Sequence, residues 1–110
     1  MTASLIKVWL VDNTKMAEFY FTKNLDALAV GLFVEGFYND AGEFAVEGTG
    51  EDAAEEVFDL TNNPSRQGER EQLYGRKRSV SVGDMVEVDG DLWLCCPRGW
   101  WKISVDVATA

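Results

Sequence analysis

The chain is 110 residues long, 46% hydrophobic and 12% aromatic, and it carries a net charge of −9 with no histidine. Length and apolar content fit one self-sufficient domain rather than a disordered tail or two domains. The missing histidine removes Ser-His-Asp and Cys-His catalysis and imidazole metal sites, and two cysteines alone make no Cys₄ or Cys₂His₂ zinc site.

In chain order, the segment Met1-Thr2-Ala3-Ser4-Leu5-Ile6-Lys7 lacks a basic region followed by a long apolar one, so no signal peptide is expected. No apolar run approaches the ~18 residues of a membrane span, and the expected location is the cytoplasm. Ile6-Lys7-Val8-Trp9-Leu10-Val11 is rich in β-branched and apolar residues and predicts a strand ending at Asp12-Asn13. Residues 14–38 admit two readings. Met16, Phe19, Tyr20 and Lys23 have helical spacing, while Phe19-Tyr20-Phe21-Thr22 reads as a strand. Asn24 then suits the N-cap of a helix from Leu25 to about Val34, stopped by Gly36. Apolar side chains on nearly all sides of that stretch predict deep burial. Asn39-Asp40-Ala41-Gly42 has turn chemistry and predicts a hairpin between Phe37-Tyr38 and Glu43-Phe44-Ala45-Val46. The clearest helix opens at Thr49, with acids in its first turn and a stripe of Ala53, Ala54, Val57, Phe58 and Thr61. Asn62-Asn63-Pro64 ends it, and residues 62–78 read as a long polar loop.

From Ser79 the period is two. Val80, Val82, Val86 and Val88 alternate with polar residues, Gly83-Asp84 breaks the run, and Asp89-Gly90 is a hairpin turn. A two-residue turn pairs Val88 with Asp91. A three-residue turn through Asp91 pairs Val88 with Leu92 and keeps Val86, Val88, Leu92 and Leu94 on one face, and it is the favoured one. In the stretch CCPRGWW, residues 95–101, adjacent cysteines point to opposite faces and are expected as free thiols. Pro97-Arg98-Gly99 reverses the chain. Cys96 falls with Leu92 and Leu94, while Trp101, Ile103, Val105 and Val107 share a core face. Met85, Trp93, Cys95 and Trp100 form the other face. It is either covered by the 49–61 helix or by 14–38, the favoured reading, or exposed as an apolar patch. Ala108-Thr109-Ala110 reads as a frayed tail. The expected fold is a single α+β domain: a small, mostly antiparallel sheet of four to six strands with a C-terminal β-meander, packed by one or two helices.

Charge is unevenly placed. Residues 1–60 hold three lysines and twelve acids, whereas 61–110 hold seven of each sign. The acidic half includes a candidate acidic face of Glu47, Glu51, Asp52, Glu55, Glu56 and Asp59. It serves solubility, docks on a basic partner, or mimics nucleic acid. The 62–78 segment carries Arg66, Arg70, Arg76, Lys77 and Arg78, half of all basic residues. It either binds phosphate or an acidic partner, or neutralises the protein's own acidic helix.

Two segments, "EEVFDLTNNPSRQ" and "RSVSVGDMVEVDGDLWLCCPRGWWKI", resemble small proteins encoded by actinobacterial phages. Those share a helix ending in Leu-Thr-Asn, an Arg-Ser-x-Ser-Val-Gly-Asp element and a closing hydrophobic strand with Gly-Trp or Gly-Phe. The second segment is also similar to the YodL-like domain of mobile elements. The match spans residues 55–103, about half the chain. The resemblance implies a compact α+β domain on a phage or mobile element and brings no catalytic role. Read physically, Ser81 and Asp84 suit bonds to nearby amides, and Gly83 permits a turn or bulge. Arg78 is the motif residue that folding explains least, which makes it a contact candidate.

No catalytic, cofactor or metal residues are expected. Glu55 and Glu56 are consecutive on a helix and diverge, so they make a poor acid–base pair. The expected function is non-enzymatic: an accessory protein that binds, and in one version inhibits, a host protein through acidic and aromatic surface. Candidate contacts are Arg66, Arg70, Arg76, Lys77, Arg78, Trp93 and Trp100. The alternative is a nucleic-acid-binding module using the 66–78 cations with Trp93 or Trp100 stacking, although the −9 charge opposes approach to phosphate. A sheet edge also offers self-association as a homodimer.

Overall fold

The first strand, β1 (Ala3–Val11), is apolar on both faces: Ile6 and Val8 point one way, Trp9 and Val11 the other. Such a strand needs cover on both sides. In the computed structural model, which describes residues 2–104, it receives that cover from helices before and after its partner strand. A 3-10 helix (Asn13–Tyr20) and α1 (Leu25–Val34) lead to β2 (Tyr38–Glu47). Then come α2 (Gly50–Asn62), a 3-10 turn (Pro64–Arg66), α3 (Gln67–Leu73), and the meander β3 (Met85–Val88), β4 (Asp91–Cys96) and β5 (Gly99–Ile103). Among the described residues the strands form one antiparallel sheet of order β2-β1-β3-β4-β5. The fold is α+β, as expected.

The sheet is the middle of three layers. On one side Ile6, Val8, Phe44, Val46, Val86, Val88, Cys95 and Trp100 pack with Ala53, Ala54, Val57 and Leu60 of α2. On the other, Val11, Met85, Leu94, Cys96 and Ile103 pack with Phe19 and with Leu25, Ala29 and Leu32 of α1. Each fully buried aliphatic side chain contributes about 1.5–3 kcal/mol, so both layers are structural cores and neither is a spare face.

Several expectations are corrected. The turn signal at residues 39–42 makes no hairpin, because β2 runs straight through it. Lys7 pairs with Glu43 and Trp9 with Asp40, so Ala41 and Gly42 together oppose Val8. This is a β-bulge, with Gly42 at φ +118° and its N–H held by Asp40 Oδ1. The β3–β4 turn is the two-residue one. Asp89 (φ +48°) and Gly90 (φ +93°) take the paired left-handed conformation whose twist suits a hairpin. Asp89 also exchanges hydrogen bonds with Leu5 of β1, which fixes the turn. Val86 therefore opposes Trp93, and Met85 moves to the α1 side with Leu94. Residues 62–78 are not a loop throughout, since Pro64–Leu73 are helical. Regular pairing after Ser79 begins only at Met85, because Ser81 to Asp84 form a turn. Of the two readings for this stretch, residues 13–20 take the helical one, as a 3-10 helix with its first turn capped by Asp12. Helix α1 forms as expected but only one side is buried; Val34 is 57% exposed. Trp101 shares a face with Leu94's neighbours yet is exposed, while Trp100 is buried. The expectations for Val105, Val107 and 108–110 lie outside the described residues.

Candidate functional site

The Arg78-to-Asp84 element folds into a closed polar clamp. Asp84 has no exposure and its carboxylate accepts four N–H bonds. Arg78 donates twice, to Oδ2 at 2.7 Å and Oδ1 at 2.9 Å; Val11 N–H donates at 2.8 Å and Ser81 N–H at 2.8 Å. Arg78 also donates to the Val11 carbonyl at 2.9 Å. The carboxylate holds the guanidinium's pKa above its ordinary value. Gly83, at φ +98°, lies flat against Phe19, where an added Cβ would sit 2.7 Å from the ring. Tyr38 donates to the Gly83 carbonyl at 2.6 Å, and burial raises its pKa. The clamp joins β1, the 3-10 helix and the meander.

The Leu-Thr-Asn element belongs to the same unit. Val80 N–H donates to Thr61 Oγ1 at 3.1 Å, Asn62 Nδ2 donates to the Val80 carbonyl at 2.9 Å, and Ser79 Oγ donates to the Thr61 carbonyl at 2.6 Å. The end of α2 is thereby sewn to the strand leading into the clamp. The Leu60-Thr61-Asn62 and Arg78-to-Asp84 elements are one mechanical joint.

The basic island is largely consumed by this joint and by the acidic helix. Arg70 donates to the carbonyls of Thr61 and Lys77 and to Ser79 Oγ. Arg66 is held by Glu56, Asp59 and Glu69 at 2.7–2.9 Å, which keeps it firmly charged. Arg78 is tied to Asp84. Of the five cations, Arg76 and Lys77 stay exposed and outside the described ion pairs, and Lys77 Nζ reaches the Tyr74 carbonyl at 3.2 Å. The neutralising reading thus describes Arg66, and folding accounts for Arg78 after all.

The aromatic candidates turn inward. Trp100 lies under α2, edge-on to Phe58, and its Nε1 donates to Glu55 Oε2 at 2.8 Å. Trp93 is half-buried in the same layer. The Trp93, Cys95 and Trp100 face is covered, and its cover is the 49–61 helix. Burial pushes the Cys95 thiol up to about 12 and Cys96 up to about 11, so both are inert at neutral pH. They are free, as expected. No group of three metal-ligating side chains occurs among the described residues. No described helix is long and apolar enough to cross a membrane.

No protein-family model, curated protein or solved structure matches the chain. The site is therefore read from its own geometry. Within the acidic face, Glu56 and Asp59 are engaged by Arg66 and Glu55 by Trp100. Glu47, Glu51 and Asp52 are exposed with no cation partner among the described ion pairs. Glu47 closes β2, the edge strand, whose other outward residues Glu43 and Ala45 are also exposed. Beside that edge lies a groove of about 320 Å³ lined by Ala45, Val46, Glu47, Glu56, Leu60, Arg66, Glu69 and Leu73. Sequence reasoning missed this edge because a turn signal split β2 in two. It also missed the exposure of Trp101, which the alternating pattern placed inside.

Proposed function

We propose that this chain is a non-catalytic accessory protein of a phage or mobile element, acting in the host cytoplasm by binding a basic host protein through its acidic surface. One observation carries the reading: three of the five cations in the basic segment are spent on internal partners. The acids of the first half are left to dominate the surface field. The buried thiols, inert at neutral pH, leave the surface as the part of the molecule available to a partner. Nucleic-acid binding through Arg66, Arg70, Arg76, Lys77 and Arg78 is disfavoured, because that route now rests on Arg76 and Lys77 alone.

A salt series tests the proposal. Cytochrome c serves as a folded basic probe, and calorimetry at low and physiological salt reads the affinity. Binding that weakens at least about tenfold between those conditions is expected for exposed charges. A gel shift with mixed single- and double-stranded DNA should show no complex. Tight DNA binding together with indifference to cytochrome c overturns the reading.

A further inference from the structure

The outer edge of β2 is open among the described residues, and its backbone directions follow from register. Leu5 gives its N–H to Asp89 Oδ1 and accepts from Asp89 N–H, so its backbone faces β3. Backbone direction alternates along a strand, so Ser4 and Ile6 face β2, and their partners Val46 and Phe44 face back. The bond from Gly48 N–H to the Thr2 carbonyl obeys the same parity. Glu43, Ala45 and Glu47 therefore aim their N–H and C=O groups outward.

Natural edges are guarded by charged side chains, lysine above all, by proline or by bulges, and here Glu43 and Glu47 are the only charges on the regular stretch. Tyr38–Glu47 contains no lysine, arginine or proline, and its bulge lies before the regular stretch that pairs Glu43–Glu47 with Ala3–Lys7. Both flanks are shaped to receive side chains. On the α2 and α3 side the groove presents exposed Leu73 beside the Arg66–Glu56–Glu69 cluster, with Val46 and Leu60 forming its buried floor. On the opposite side Leu5, 59% exposed, sits beside its partner Ala45. Glu43 and Glu47 bracket Ala45 on that side; Glu43 shares its carboxylate with Lys7 at 3.2 Å, while Glu47 is outside the described ion pairs. Two copies of this edge, paired antiparallel about Ala45, would set Glu43 against Glu47 of the second copy, which like charge opposes.

We propose that the Glu43–Glu47 edge accepts an added strand from a basic partner, an extended segment with Lys or Arg four residues apart and apolar side chains at the two alternate positions between. The cations meet Glu43 and Glu47, and the apolar side chains enter the groove. This rests on the acidic-binding reading above and names the form its partner takes.

A short synthetic peptide with lysine–valine–threonine–valine–lysine at its centre is the probe, followed by calorimetry and amide NMR of the full chain. The amides of Glu43, Ala45 and Glu47 should shift. Ala45→Pro removes an outward N–H without touching a bond to β1, and should weaken binding about tenfold. Glu43→Lys combined with Glu47→Lys should weaken it by about tenfold or more while circular dichroism stays unchanged. Shifts confined to another surface, or an affinity unchanged in either folded variant, overturn the proposal. A dimer paired through β2 also overturns it. If cytochrome c binds in a salt-sensitive way and the peptide does not, the strand edge alone is wrong. If neither binds, the acidic-surface reading falls with it.

Discussion

Arg78→Ala should remove a large part of the stability without altering the proposed binding surface. Asp84 is fully buried, and its carboxylate is satisfied by Arg78 and by the Val11 and Ser81 amides. Removing the guanidinium leaves a buried carboxylate with two neutral donors, and breaking one partner of a buried pair costs about 3–5 kcal/mol. Arg78 is itself 27% exposed, so water reaches the vacated space and the lower end applies, about 3 kcal/mol. For a domain of this size that is a fall in Tm of about 10–20 °C. Arg78→Lys should recover only part, since one ammonium cannot bond both carboxylate oxygens and the Val11 carbonyl together. Urea unfolding followed by tryptophan fluorescence reads the loss directly. Combining Arg78→Ala with Asp84→Ala should cost less than the two separate losses added. A loss below about 1 kcal/mol for Arg78→Ala, with an unchanged urea slope, would show that the clamp is not what holds Asp84 in the core.

Four further outcomes are expected. Gly83→Ala should destabilise by about 2–4 kcal/mol in the same urea assay, because it strains a left-handed backbone and drives a methyl into the Phe19 ring; a neutral substitution would refute that packing. Arg66→Ala should stay within about 1 kcal/mol and lose its effect at high salt, since its partners are well exposed. Arg70→Ala should exceed it, because Arg70 bonds two carbonyls at the end of α2 and in the segment before the clamp; equal effects would contradict the assignment. The unfolded thiols ionise near 9, while Cys95 and Cys96 are held at about 12 and about 11. The folded state then binds more protons above pH 9, so stability is complete below that value and falls as pH rises towards 12. The urea midpoint should drop between about pH 9 and about pH 11, and Cys95→Ala should blunt the drop; an identical drop in that variant would refute the thiol's part.

Legibility in the sequence tracked the range of the interaction that decides each element. Helix α2 and the strand at Ile6–Val11 were readable because a local apolar period specifies them. The bulge at Ala41-Gly42 was not, since Asn39-Asp40-Ala41-Gly42 has the chemistry of a turn and only pairing with Lys7 and Trp9 turns it into a kink in one strand. The turn at Asp89-Gly90 was misjudged for a related reason. Keeping Val86, Val88, Leu92 and Leu94 together assumes one wet face, whereas this sheet is covered on both sides and needs apolar residues on both. Arg78 looked like a contact residue because its partner Asp84, though only six positions away, is brought to it by a turn through Ser81 that pattern alone does not reveal.

The inward-facing aromatics also explain why the outer surface is acidic, and they isolate one residue. Covering Trp93, Cys95 and Trp100 commits Ala53, Ala54, Val57 and Leu60 of α2 to the sheet. The acids of that helix must then point outward, and most have a reason to do so. Glu51 and Asp52 lie in its first turn, where they complement the helix dipole, Glu55 holds Trp100, and Glu56 and Asp59 hold Arg66. Glu47 has no such role: it ends an edge strand, exposed and with no ion-pair partner among the described residues. Asp52→Asn should therefore cost about 0.3–1 kcal/mol through the dipole. Glu47→Gln should leave stability within about 0.5 kcal/mol and yet weaken binding of the basic probes. A Glu47→Gln protein that loses more than about 1 kcal/mol, or that binds cytochrome c and the lysine peptide as tightly as before, would place Glu47 among the acids that only fold the chain.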